Sequence, residues 1–163
     1  MTVCGLSAQA SKPLSEKDRA KLAEIARLRY EASGMDGTSL YRFNGRDILI
    51  VITEVKKGAN AQRVGQVKAS RSAGEYLQSA TNHSVTVCEV SEGNSYSLKD
   101  KSTVSGSSIS QNTSDYSFNE TEESVSDKIV QSSITRVGHI EPLCNISQVG
   151  NNIVLAYFMI LEK

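Results

Sequence analysis

LYRFNGRDILIVI, residues 40–52, decides the fold. Leu40-Tyr41-Arg42-Phe43 reads as a strand. Asn44-Gly45 is the dipeptide that best tolerates the two positive φ angles of a tight hairpin turn. Ile48-Leu49-Ile50-Val51-Ile52 is an unbroken apolar run. Such a run is a central strand buried on both faces. The chain therefore builds around a β-hairpin whose second strand lies inside the sheet.

Upstream, Ser15 is placed to cap a helix, with Asp18 at the third helical position. Leu22, Ile25, Ala26 and Leu28 supply its apolar positions, and Lys17, Lys21, Arg27 and Arg29 are expected to face outward. Gly34 suits the left-handed residue that ends a helix. Downstream, Gly58 breaks the chain and residues 59–80 read as a second helix. Its expected inner stripe is Val64, Val67, Ala73, Leu77 and Ala80. Gly65 and Gly74 each cost a helix up to about 1 kcal/mol relative to Ala, which close packing on a sheet would explain. Arg63, Lys68 and Arg71 read as a solvated face.

Residues 84–90 alternate as a strand. Ser91 to Asn119 is a polar insert with too few apolar residues to offset its own ordering entropy. Thr121 is expected to cap a short helix with Glu122 and Glu123 in its first turn and Val125 and Ile129 on one face. Residues 137–146 and 153–161 read as two last strands, joined at Gly150-Asn151-Asn152. Pro142 cannot donate to a ladder, so the first of these is at an edge or bulged. The order predicts an α+β fold: a mostly antiparallel sheet, two main helices packed on one face, and the polar insert between strands. Leu49, Val51, Leu77, Leu155 and Phe158 are the expected shared core.

The length of 163 residues is enough for one domain with its own core. Lys plus Arg and Asp plus Glu both number 18, so the net charge is zero. That balance lacks the basic excess by which nucleic-acid binders neutralise phosphates. No run of some 18 apolar residues is present to form a transmembrane helix.

Residues 1–13 read MTVCGLSAQASKP. Ala8-Gln9-Ala10 is the small-x-small pattern that signal peptidase accepts, with cleavage before Ser11. Residues 1–10 are thus expected to be a signal-peptide remnant and 11–163 a single domain carrying the insert at 91–119. Cys4 is a poor lipid-attachment site, because bulky Val3 precedes it. The expected location is the cell envelope, periplasmic or exported. There Cys88 and Cys144 form an even pair, either bonded as a disulfide or buried as free thiols.

His83 and His139 stand alone, without metal-ligand spacing to Cys, Asp or another His. Neither Cys88 with His83 nor Cys144 with His139 makes a nucleophile pair, since five residues along one strand put the side chains on opposite faces. No phosphate loop, dinucleotide fingerprint or nucleophile elbow appears. Glu120, Glu122 and Glu123 lack the alternating oxygen ligands of a calcium loop. No catalytic, cofactor-binding or metal-binding residue is therefore assigned. Asn82, Asn112, Asn119 and Asn145 open Asn-x-Ser/Thr sequons, meaningful only in a glycosylating host.

The small-residue helix ANAQRVGQVKASRSAGEYLQSA, the strand SVTVCEV, the segment with Ile129, Ser132, Ser133, Gly138, Ile140 and Leu143, and the closing strand NNIVLAYFMILEK form a recurring pattern. Over residues 59–163 it resembles the small surface-lipoprotein family that shares its fold with the N-terminal domain of flagellar assembly protein T. The resemblance implies a helix-on-sheet envelope module that works by protein contact, with no catalytic residues to carry over; a non-enzymatic module that binds an envelope protein partner or associates with itself is the expected function. A small-molecule or lipid-binding domain, or a hydrolase with an unrecognised site, are the other readings.

Overall fold

Residues 13–34, 36–92 and 116–161 are described in a computed structural model of the chain. The signal-peptide residues Ala8, Ala10 and Ser11 lie outside them.

Helix α1 spans Glu16–Ser33. The Ser15 hydroxyl accepts from the Asp18 amide at 3.1 Å, and Gly34 ends the helix at φ 70°. Strands β1 (Gly37–Phe43) and β2 (Arg46–Lys56) meet at Asn44-Gly45, with φ of 55° and 76° as the turn requires. Helix α2 (Ala61–Ala80) leads to β3 (Ser84–Glu92). Then come β4 (Tyr116–Ser124), helix α3 (Asp127–Ile134), a 3₁₀ turn at Val137–His139, β5 (Glu141–Val149) and β6 (Asn152–Ile160).

The strands form one six-stranded sheet in the order β4-β3-β1-β2-β6-β5. Among the described strands only β1 and β3 run parallel; the other neighbours are antiparallel. The fold is α+β, as the element order predicts.

The helices do not share a face. Leu22, Ile25 and Ala26 of α1 pack with Tyr41, Phe43, Ile48, Ile50, Ile52 and Phe158. Ala69, Ala73 and Leu77 of α2 pack with Leu40, Leu49, Val51, Leu155 and Tyr157. The reason is in β2 itself. Successive strand residues point to opposite faces, and Ile48 to Ile52 are all at most 2% exposed. Both faces of β2 therefore need cover. The same alternation corrects the expected core. Leu49, Val51, Leu77 and Leu155 sit together, whereas Phe158, three residues from Leu155, lies on the α1 face.

Helix α2 is turned relative to the expected stripe. Its buried positions are Gly65, Ala69, Ala73, Leu77 and Ala80, while Val64 and Val67 are 46% and 55% exposed. Small residues face inward because β6 presents a large side chain there. A Cβ at Gly65 would overlap the Tyr157 hydroxyl and lie 2.9 Å from Leu155. No such contact awaits Gly74.

Thr121 caps no helix. Residues 116–124 are a strand that pairs with β3 over nine consecutive positions, Ser84↔Ser124 to Glu92↔Tyr116. Ser126 caps α3 instead, accepting from the Ile129 amide at 3.3 Å. The polar insert is correspondingly shorter than 91–119: Ser91, Glu92 and residues 116–119 belong to this hairpin, and 93–115 lie outside the described residues. Residues 137–139 are a turn and not strand, held to α2 by the Ser70 hydroxyl, which donates to the Val137 carbonyl at 2.8 Å. Strand β5 is an edge with register shifts between Pro142 and Cys144 and between Asn145 and Ser147, the irregularity that Pro142 predicts.

Candidate functional site

The one parallel ladder is short. It joins Leu40–Phe43 to Val87–Val90 and stops. Before it, Thr38 and Ser39 pair only with Val51 and Ile50 of β2, and Val85 and Thr86 only with Glu123 and Glu122 of β4. The backbone edges of β1 and β3 thus face one another across a fork without bonding. Each such edge carries donors and acceptors that a sheet would ordinarily satisfy.

A cavity of about 330 Å³ occupies this fork. Thr38, Ser39 and Leu40 form one wall, and Val85, Thr86 and Cys88 the other. Glu120 closes in from β4, Arg29 from α1 and Tyr76 from α2. Arg29 follows buried Ile25 by four residues, so both lie on the same face of α1. The expectation that Arg29 points outward is therefore corrected: it turns onto the sheet. It forms no ion pair among the described residues.

Two buried side-chain oxygens among the described residues lack a hydrogen-bond partner, Ser39 Oγ and the Tyr41 hydroxyl. Both sit on the α1 side of β1, two residues apart as strand alternation requires. Tyr41 is fully buried. Burial pushes its phenol up to about 12, while the nearby Arg29 charge and Ser39 pull it down by less. These neighbours influence the hydroxyl without forming a well-directed bond to it. A buried, unsatisfied hydroxyl costs about 1–3 kcal/mol, so such groups concentrate where something other than stability is served.

Cys88 shares the site. Burial, and then the Glu120 charge, push its thiol up to about 12, against the pull of Arg29. Burial likewise pushes Tyr76 up to about 12. All three groups are protonated at neutral pH, and the site carries one cation and one carboxylate.

Cys144 is elsewhere. Its sulfur faces the Ala23 carbonyl of α1 at 4.0 Å, and burial raises its thiol. Cys88 and Cys144 are both free. β3 and β5 are four strand spacings apart, roughly 19 Å at ~4.8 Å each, against the ~7 Å limit for a disulfide. An intramolecular bond between them is excluded by strand order. His83 and His139 are exposed turn residues. Among the described residues no group of three His, Cys, Asp or Glu is placed to hold a metal ion, and no helix is long and apolar enough to cross a membrane.

The acidic cluster is divided among three tasks. Glu122 accepts from the Thr86 hydroxyl at 2.5 Å. Glu123 meets Arg42 at 2.7 Å, and Arg42 also holds Asp47 at 2.8 Å and Glu89 at 3.2 Å. This clamp ties four strands together on the α2 face, and its bonds to Glu123 and Asp47 raise the Arg42 guanidinium further. Glu120 alone of the cluster lines the cavity.

Sequence reasoning missed Arg29, Ser39 and Tyr41. The i, i+4 relation of Ile25 and Arg29 was the available signal. No protein-family model, curated protein or solved structure matches this chain.

Proposed function

We propose that this chain is a non-enzymatic binding module and that the fork between β1 and β3 receives a small polar molecule. The fork itself carries this reading: the strand edges at Thr38–Ser39 and Val85–Thr86 do not pair with each other, and a cavity lined by Arg29, Ser39, Tyr76 and Glu120 lies between them. The volume of about 330 Å³ is at the small end for ligand pockets. Binding is favoured over catalysis because the Cys88 thiol and the Tyr41 phenol are held in their neutral forms, and a nucleophile or base needs the opposite shift. The test is thermal unfolding of the full chain against amino acids, hydroxy acids, sugars and nucleosides. At least one class should raise the midpoint saturably, and Arg29→Gln, which removes the cation lining the fork, should abolish the rise. A panel without effect would overturn the reading.

Action by protein contact, in an exported envelope protein, is a second reading with its own support. The outer edge of β4 follows nine regular pairs with β3 and has no further strand beside it among the described residues. Such an edge can accept an extended partner strand, whereas Pro142 and two register shifts blunt β5. Export is checked by N-terminal sequencing of protein from its host. Ser11 as first residue supports it, and an intact Met1 contradicts it.

A further inference from the structure

We propose that the fork receives the C-terminal end of an extended peptide, its carboxylate held by Arg29, its last amide by the open backbone edges of β1 and β3, and an apolar last side chain by Leu40, Val85 and Tyr76. This rests on the binding reading above and names the ligand class.

The shape of the fork suits a chain end. The ladder that starts at Leu40↔Val87 closes it on the inside, so a segment that enters between the strands cannot run through. About 330 Å³ equals about ten waters at ~30 Å³ each, room for the tip of a chain only. Both walls are extended backbone. Among the described residues Thr38 and Ser39 pair only with β2, and Val85 and Thr86 only with β4. Each wall therefore offers N–H donors and C=O acceptors in alternation. An amide in the gap answers both kinds, as an added strand does. A bare anion answers the donors alone.

Charge says which end of a chain. Successive strand residues point to opposite faces, so the gap has two unlike sides. Leu40, Val85 and Val87 belong to the core under α2, and Tyr41 and Cys88 to the core under α1. Arg29 comes from α1. It is close enough to Tyr41 and Cys88 for its charge to favour their ionised forms, and these two residues form the rung next to Leu40↔Val87. Arg29 thus stands at the inner end, and it forms no ion pair among the described residues. Glu120, paired with Cys88 across β3 and β4, is already engaged. The charge left to answer is positive. A guanidinium takes a carboxylate through two parallel N–H donors and repels an ammonium. Glu120 holds the ligand to a single negative charge, because a dianion would meet one cation and one carboxylate. On the α2 side Leu40, Val85 and the Tyr76 ring form an apolar wall. A C-terminal residue bears a carboxylate and a side chain on one Cα, so it reaches both sides at once.

The experiment is isothermal titration of the full chain with N-acetyl-L-alanyl dipeptides ending in Ala, Val, Leu or Phe. The C-terminal amide of each, propionate, inorganic phosphate and the ester isostere of the tightest acid, in which oxygen replaces the last N–H, are the comparisons. At least one free acid should bind about 10-fold or more tightly than its amide and than propionate, the effect of one charge-assisted pair. Arg29→Gln should weaken that acid about 10- to 100-fold and leave its amide unchanged. The ester should lose about 2- to 10-fold, the worth of one neutral hydrogen bond. The comparison of acid with amide uses the unaltered chain, so it stands even if Arg29→Gln fails to fold. An amide as tight as its acid overturns the carboxylate at Arg29. Propionate or phosphate as tight as the best acid overturns the peptide, and an ester as tight as its parent overturns the bond to the strand edges. No heat with any peptide overturns the proposal outright. An Arg29-dependent rise in the unfolding midpoint with the small-molecule panel would then leave the fork a site for another ligand; no effect in either experiment removes both readings.

Discussion

At Tyr41 a single oxygen atom is at odds with the fold that its ring supports. The ring packs in the core beneath α1, but its hydroxyl is buried without a partner. Tyr41→Phe keeps the ring and removes the unsatisfied atom. It should raise the unfolding free energy by about 1–3 kcal/mol, measured by urea denaturation. A destabilised Phe variant would show that the hydroxyl is satisfied after all. Alkaline titration probes the same atom. The folded-state phenol is raised from 10.0 to about 12, so the folded chain holds this proton more tightly than the unfolded one. Its contribution is whole below pH 10 and lost as pH rises toward 12. Tyr76 and Cys88 titrate in an overlapping window. The fall in stability from pH 9 to 12 should therefore be shallower in Tyr41→Phe, though not absent. Little of this is legible in the sequence. Tyr41 reads correctly as a strand residue, but its hydroxyl's surroundings depend on Arg29, brought in by another element.

Elements were legible where local chemistry fixes them. The Ser15 and Gly34 caps, the Asn44-Gly45 turn, the buried run of β2 and the Pro142 edge all stand in the structure because each depends on residues within a few positions. The phase of α2 was not. Val64 and Val67 look like core by hydrophobicity, yet Tyr157 on β6 demands the small face one residue around. β4 was misread because Thr-Glu-Glu suits a helix start as well as a polar strand. Cross-strand partners decide: Thr86 for Glu122 and Arg42 for Glu123. The two internal glycines of α2 test this packing. Gly65→Ala should destabilise by about 1–3 kcal/mol through overlap with Tyr157. Gly74→Ala, with open space around it, should stabilise by up to about 1 kcal/mol. Equal effects at both positions would mean that the helix does not approach β6 as closely as described.

Over the whole molecule, sheet order accounts for both the correction at the cysteines and the origin of the site. Placing β1 and β2 between β3 and β6 separates Cys88 from Cys144 by four strand spacings. Thiol counting on denatured, unreduced protein should find both reactive, and their protection as a pair within one chain would contradict the strand order. The same order puts β1 beside β3 as the only parallel pair among the described strands, connected through β2 and α2 rather than through a tight turn. No hairpin fixes the start of that ladder, and the strands part before Leu40 and Val87, which is where the cavity lies. A fork made by non-neighbouring segments leaves no motif to find in the sequence. The most direct test of its role is the amide nitrogen–proton spectrum of labelled full-length protein, recorded while the best ligand of the panel is titrated in. Saturable shifts concentrated at Arg29, Thr38–Leu40 and Val85–Cys88 are predicted; shifts confined to other surfaces, or none at saturating concentration, would contradict a binding site in the fork.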